Sequence, residues 1–286
     1  MGKDSKTEKK NRRAWYWLAA AVLFGLLLSV SSRFWLGPKG QAVEAVIFGD
    51  SIIASHRGED SVADRVRDLT GIPIVNAAFG GSAMARLDQE RHASGKDDYF
   101  SMVSLVRSFC ADDFAPQRQI SYEIPAKDYF VEAVKELDQM NFDRTELMIL
   151  CFGMNDYHTG ATLENPKDPY DEYTFGGALR TVLRQAKGSH PSCRIILVSP
   201  TYSWYLGEKK NCEEMDFGGG VLADYVQLER RVAEECGVEM IDVYQDLYET
   251  GSFENWKKYT EDGIHPNELG RELISKKIAS YLEERP

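Results

Sequence analysis

The sequence predicts a single doubly wound α/β domain, and three observations carry that prediction. Five short, almost unbroken apolar runs of strand length recur along the chain, and patterns of helical period separate them. The composition, 43% hydrophobic and 28% charged over 286 residues, is that of a chain able to bury a sizeable core. Strands that are apolar throughout, rather than alternating, belong to a parallel sheet covered by helices on both faces.

In order, the strand-like runs are "AVEAVIFG" (42–49), "IPIVNAAF" (72–79), "ELMILCFG" (146–153), "CRIILVSP" (193–200) and "VEMIDVY" (238–244). Helical patterns fall at 60–70, from about 83 to 110, and at 127–140, 172–187, 219–236 and 267–283. The stretch 85–128 is longer than a bare crossover needs, and with "ADDFAPQRQISYEIP" (111–125) it has the length for a lid. No internal repeat is visible.

Ahead of this body lies a different kind of segment. The first thirteen residues carry a net +4, which leaves −15 for the rest of a chain whose formal charge is −11. A body this acidic repels phosphate backbones, so nucleic acid is not an expected partner. Between Arg13 and Arg33, "AWYWLAAAVLFGLLLSVSS" runs nineteen residues without a charge. As a helix it would span roughly 28 Å, close to a bilayer core. The basic flank sets the N-terminus inside and the body outside. A signal peptide cut near Ser29 or Ser31 is the competing reading, although the apolar run exceeds the usual length of such a region. The "RFWLGPKGQ" linker (33–41) puts the boundary near residue 41, giving a tail, anchor and linker over 1–40 and a domain over 41–286. The five cysteines, at 110, 151, 193, 212 and 236, are scattered and odd in number, which argues against a disulfide framework.

In such sheets the loops at the carboxyl ends of the strands make the site. That rule places Ser51, Gly80–Gly81 and "GMND" (153–156) on one edge. A serine hydroxyl becomes a nucleophile when a base reaches it and a third group orients the base. Of five histidines, His265 follows Asp262 by three residues, a spacing at which one turn brings carboxylate and imidazole to the same side. Taken alone, Ser51 also reads as a turn hydroxyl, and the Asp-x-x-His pair as metal ligands or a helix cap.

Four blocks, "FGDS" (48–51), "NAAFGG" (76–81), "GMND" (153–156) and "DGIHPN" (262–267), occur in order at strand ends, and with them the chain resembles the SGNH or GDSL hydrolases from about residue 43 to 283. The resemblance implies a three-layer α/β/α flavodoxin-like domain with a mainly parallel five-stranded sheet. It implies Ser51 as nucleophile, His265 as general base and then acid, and Asp262 as the group that orients the imidazole. The oxyanion donors it implies are the backbone N–H groups of Ser51 and Gly81 and the side-chain amide of Asn155. Gly81 is preferred to Gly80 for its five-residue spacing from Asn76. No metal and no cofactor are expected.

Around this core, Asp50 reads as a brace for its turn, Asp156 as a stabiliser of its own turn, and "FGGG" (217–220) as a flexible loop. There is no G-x-S-x-G elbow. Tyr202 and Trp204, in "SPTYSWYLGEKKN" (199–211), are candidates to contact substrate at the same edge, with packing of a long loop as the alternative. His158 is a third candidate, against a solvated loop histidine. The expected activity is a membrane-anchored, extracytoplasmic serine esterase acting on small-molecule, glycan or lipid esters. Acyl transfer to a cell-surface glycan and a non-catalytic surface binding module are the alternatives.

Overall fold

The computed structural model describes residues 42–87, 98–119 and 129–285. The expected membrane span at 14–32 lies outside these residues. Among the described residues no helix is long and apolar enough to cross a membrane. Gln41–Pro286 form one compact unit.

All five expected strands form: β1 (Ala45–Gly49), β2 (Ile74–Asn76), β3 (Leu147–Cys151), β4 (Arg194–Val198) and β7 (Glu239–Ile241). They make one sheet in the order β2-β1-β3-β4-β7, with every neighbour parallel. β1 and β3 are in register from Ala45 opposite Leu147 to Gly49 opposite Cys151, so both strands end at the same level. Chain order reverses direction between β1 and β3, and the carboxyl ends of strands at such a switch leave a crevice.

The unbroken apolar strands serve two cores. Val46 and Phe48 of β1, Met148 and Leu150 of β3 and Ile195 and Leu197 of β4 face one; Ala45, Ile47, Ile149, Ile196 and Val198 face the other. This is the period-two alternation of a strand with both sides apolar. α2 (Val62–Thr70) and α9 (Glu268–Glu284) cover the second face through Val62, Val66, Ile274 and Ile278. The first face is covered by α3 (Met102–Ala111), α4 (Tyr129–Asp138), α6 (Phe175–Ser189) and α7 (Leu222–Cys236).

Several boundaries differ from the sequence expectation, among them the starts of two helices. Of the helix expected from about 83 to 110, the described residues hold α3, where Ser101 caps the first turn by accepting from the Ser104 N–H, while 83–87 and 98–101 are not helical. Upstream, the Met84 and Ala85 N–H groups are bound by the Asp156 carboxylate at 2.8 Å each. The described part of the long stretch, 98–119, is built into the core through Met102, Phe109 and Phe114 rather than laid over a site; 88–97 and 120–128 lie outside the described residues. α7 starts at Leu222 and not at 219, because the Gly218 and Gly220 N–H groups turn back to Asp216 Oδ1. Four small elements carry no periodicity that a sequence pattern could register: α1 (Ser51–Ala54), α5 (Met154–His158), α8 (Trp256–Tyr259) and the ribbon of β5 (Trp204–Tyr205) with β6 (Lys210–Asn211). Among the described residues all five cysteines are free thiols.

Candidate active site

The break in the apolar run at Gly49-Asp50-Ser51 is where β1 turns directly into α1. A side chain on Gly49 would approach Ile53 Cγ1 to 2.9 Å and the Cys151 carbonyl to 3.1 Å, so only glycine makes this turn without displacement. Asp50 is the N-cap: its Oδ1 accepts from the Ile52 N–H at 2.9 Å. Ser51 is thereby the first helical residue. Its own N–H lacks a partner among the described residues, as the geometry of a helix start dictates.

The fourth block approaches from the other side. Gly263 has φ +95, and a Cβ there would lie 2.1 Å from the Trp204 carbonyl oxygen. Trp204 N–H in turn donates to the Gly263 carbonyl at 2.8 Å, which fastens the loop to β5. Within the loop, Asp262 Oδ1 accepts from the N–H groups of His265 (2.8 Å) and Ile264 (3.0 Å). Its Oδ2 lies 2.7 Å from His265 Nδ1, and His265 Nε2 lies 3.0 Å from Ser51 Oγ. The carboxylate accepts only, so Nδ1 carries the proton and Nε2 is left to accept from the Ser51 hydroxyl. Partial burial works to raise the Asp262 pKa, but the hydrogen bonds from His265 and Ile264 outweigh it and hold the carboxyl below its ordinary value. An ionised Asp262 at neutral pH is what an imidazolium forming at His265 would need beside it.

The three groups named as oxyanion donors differ in their present bonding. The Ser51 and Gly81 N–H groups have no partner among the described residues. Gly81 sits at φ +79, in a region a side chain would strain. Asn155 donates one amide hydrogen to the Ser82 carbonyl at 2.9 Å and keeps the other. Gly80 is different, because its N–H is already given to the Tyr129 hydroxyl at 2.7 Å.

Asp156 bonds to its own backbone, as the sequence suggested, and also reaches beyond its turn. Its buried carboxylate reaches across to the segment after β2 and binds Met84 and Ala85, fixing the stretch that follows the second block against the third. Burial pushes its pKa up to about 6 against those two hydrogen bonds. Asp50 is also buried. Desolvation raises its pKa to about 7; the Ile52 bond opposes this, the Asp156 charge adds to it, and His265 opposes it.

The substrate candidates separate. Tyr202 and Trp204 are 3% and 1% exposed and belong to the core, their rings 5.1 Å apart with Tyr244 and Tyr248 beside them. Packing is therefore what these aromatics do, and they line no open surface. His158, half-buried at the end of α5, shares a hydrogen bond of 2.8 Å with the Tyr205 hydroxyl and meets Phe217 edge-on. Burial, with His265 nearby, lowers its pKa to about 4, so it is a packed neutral imidazole and not a solvated loop histidine. A cavity of about 350 Å³ lies beyond Asp156, lined in part by Ala83, Arg86, Thr159, Asn165 and Tyr173. Sequence reading missed Tyr129 and the cross-block role of Asp156; both act across 49 or more residues, where no motif spacing marks them.

A family model described as the GDSL-like Lipase/Acylhydrolase family matches residues 47–273. No curated protein matches. Among solved structures, a protein from Lactobacillus plantarum is 18% identical at a TM-score of 0.61, covering 86% of this chain and 100% of its own. The acetyl xylan esterase AlAXEase is 16% identical at 0.51, covering 83% and 99%. At these identities the likeness is one of fold.

Proposed function

Since this chain belongs to the GDSL-like Lipase/Acylhydrolase family and is a serine ester hydrolase, we propose that it cleaves O-acyl esters of a polar alcohol, with O-acetylated carbohydrate as the substrate class. The observation that carries the chemistry is the continuous chain from Asp262 Oδ2 through His265 to Ser51 Oγ. Ser51 Oγ attacks the acyl carbon while His265 Nε2 takes its proton, and Asp262 stabilises the imidazolium. The negative oxygen that forms is met by the N–H groups of Ser51 and Gly81 and by the free amide hydrogen of Asn155, donors fixed before the reaction begins. His265 returns the proton to the leaving alcohol. Water, deprotonated by the same nitrogen, then releases the acyl group from Ser51.

Two features support a polar alcohol. The cavity beyond Asp156 is lined by Arg86, Thr159, Thr162, Tyr173 and the mutually bonded Asn165 and Asp171, a wall of mostly polar residues suited to hydroxyls rather than to a lipid chain. A fold shared with an acetyl xylan esterase is compatible with that chemistry. The uncharged run at 14–32 behind a basic flank supports an anchored enzyme with its catalytic domain outside the cell. Acetate release from acetylated xylan, with p-nitrophenyl acetate as a general acyl donor, is the test. The proposal expects turnover of both by the wild type and neither by Ser51→Ala. Turnover of long-chain lipid esters without release of acetate from the polysaccharide would overturn the substrate class.

A further inference from the structure

The segment after β2 is gripped at three points on alternate residues. Arg57, just past α1, donates from Nη1 to the Asn76 carbonyl (3.4 Å) and from Nη2 to the Ala78 carbonyl (2.7 Å). The Tyr129 hydroxyl takes the next point by accepting from the Gly80 N–H at 2.7 Å. The two gripping side chains also hold one another, since the Arg57 guanidinium carbon stands 4.7 Å from the centroid of the Tyr129 ring. Burial raises the Tyr129 pKa, opposed by the Gly80 hydrogen bond and the Arg57 charge, so the phenol stays neutral and offers a lone pair.

This grip reaches the nucleophile. A Cβ built on Gly80 would lie 3.1 Å from Tyr129 Oη and 3.8 Å from Ser51 Cβ, so the hydroxyl and the nucleophilic residue flank the same glycine. The need for a grip follows from the sequence. Gly80-Gly81 is a pair of residues with the greatest backbone freedom, and donors that wander stabilise an oxyanion poorly.

We propose that Arg57 and Tyr129 are positioning residues that pin the Gly80 peptide and thereby hold the Gly81 N–H where the oxyanion at Ser51 forms. The proposal rests on the reading of Ser51 as nucleophile and Gly81 as donor. It explains why Gly81 and not Gly80 is free to donate: the Gly80 N–H is spent on the clamp. Neither residue touches the reacting atoms.

The test is a double-substitution cycle on the full-length chain with p-nitrophenyl acetate. Tyr129→Phe keeps the ring and its stack on Arg57 and removes only the hydroxyl. It is expected to lower kcat about 10- to 100-fold, the scale of a misplaced group, with KM within about twofold of wild type. Affinity for a trifluoromethyl ketone, which forms a tetrahedral oxyanion on the serine, should fall by the same factor as kcat/KM. Gly80→Ala in the wild type crowds Tyr129 Oη and should be harmful, whereas in Tyr129→Phe the crowding atom is gone and the same change should cost less than about threefold, a coupling that independent sites do not show. If Tyr129→Phe fails to fold, Arg57→Lys, which loses the forked grip on two carbonyls, is expected to show the same loss in kcat at constant KM. Ser51-dependent turnover that is indifferent to these changes, or a loss confined to KM, overturns the clamp alone. Turnover that survives Ser51→Ala overturns the esterase reading and the clamp with it.

Discussion

His265 Nε2 stands 3.0 Å from Ser51 Oγ although 214 residues of chain separate them. Two anchors make this approach: the Asp50 cap that starts α1 at Ser51, and the Gly263 turn that fastens the opposite loop to Trp204. The pair stands at the carboxyl end of β1, beside the sheet's switch point.

Asp262 makes three separate hydrogen bonds to His265 and Ile264, and Asp262→Asn keeps an oxygen for the two backbone ones. The amide can also donate to Nδ1, which moves the imidazole proton to Nε2, where it can no longer accept from Ser51. A fall in kcat of about 10⁴ is expected, as for the same change in a comparable triad, with an unchanged circular dichroism spectrum. A folded variant with near-native kcat would remove Asp262 from that role.

Asn155→Ala should differ in kind. Loss of one oxyanion donor costs about 10²–10³ in kcat, while the limb of the pH–rate profile that reports the base should stay in place. A displaced limb would mean that Asn155 acts through His265 instead.

The buried Asp50 carries a folded pKa raised from 3.8 to about 7. Between those values the folded protein keeps a proton that the unfolded chain has released, so stability falls as pH rises from about 4 to 7 and levels off above. The full effect is roughly 4 kcal/mol, at 1.36 kcal/mol per unit. Asp50→Asn keeps the capping oxygen and should raise Tm at pH 8 more than at pH 4.5. Equal shifts in thermal melts at the two pH values would contradict the assignment.

Gly263→Ala forces a methyl to 2.1 Å from the Trp204 carbonyl at φ +95. The backbone strain alone costs about 1–3 kcal/mol, and relief requires moving the loop that carries Asp262 and His265. A lowered Tm together with lost turnover is expected; a stable, active variant would show that the loop does not set the histidine.

Gln41–Pro286 is one compact unit. Expressed alone it should remain in the soluble fraction and be active, while the full chain should sediment with membranes and resist extraction by alkali. A full-length chain recovered in the soluble fraction would contradict the anchor.

The strands were readable because both of their faces are apolar, a signal that survives without any knowledge of neighbours, as in "VIFG" and "MILC". Helix starts were readable to within about three residues except at α3. At the expected start of the helix that became α3, the Ala85 and Met84 N–H groups are held by Asp156, 71 and 72 residues away, a contact invisible to local periodicity. Ser51, Asp262 and His265 could be singled out only because each lies in a motif with its own turn chemistry. Tyr202 and Trp204 lie at a strand end as substrate-binding aromatics would, and only their burial against Tyr244 and Tyr248 separates packing from contact. Tyr129 sits in no motif, and its bond to Gly80 exists only once the chain has folded.

The central claim is that Ser51 is the nucleophile activated by His265. Labelling with a fluorophosphonate, followed by peptide mass spectrometry, tests it directly, since the reagent bonds only to an activated serine. The account predicts a single adduct on Ser51 in the wild type, abolished in Ser51→Ala and strongly slowed in His265→Ala; an adduct on any other serine, or labelling of Ser51 at the native rate without His265, would contradict it.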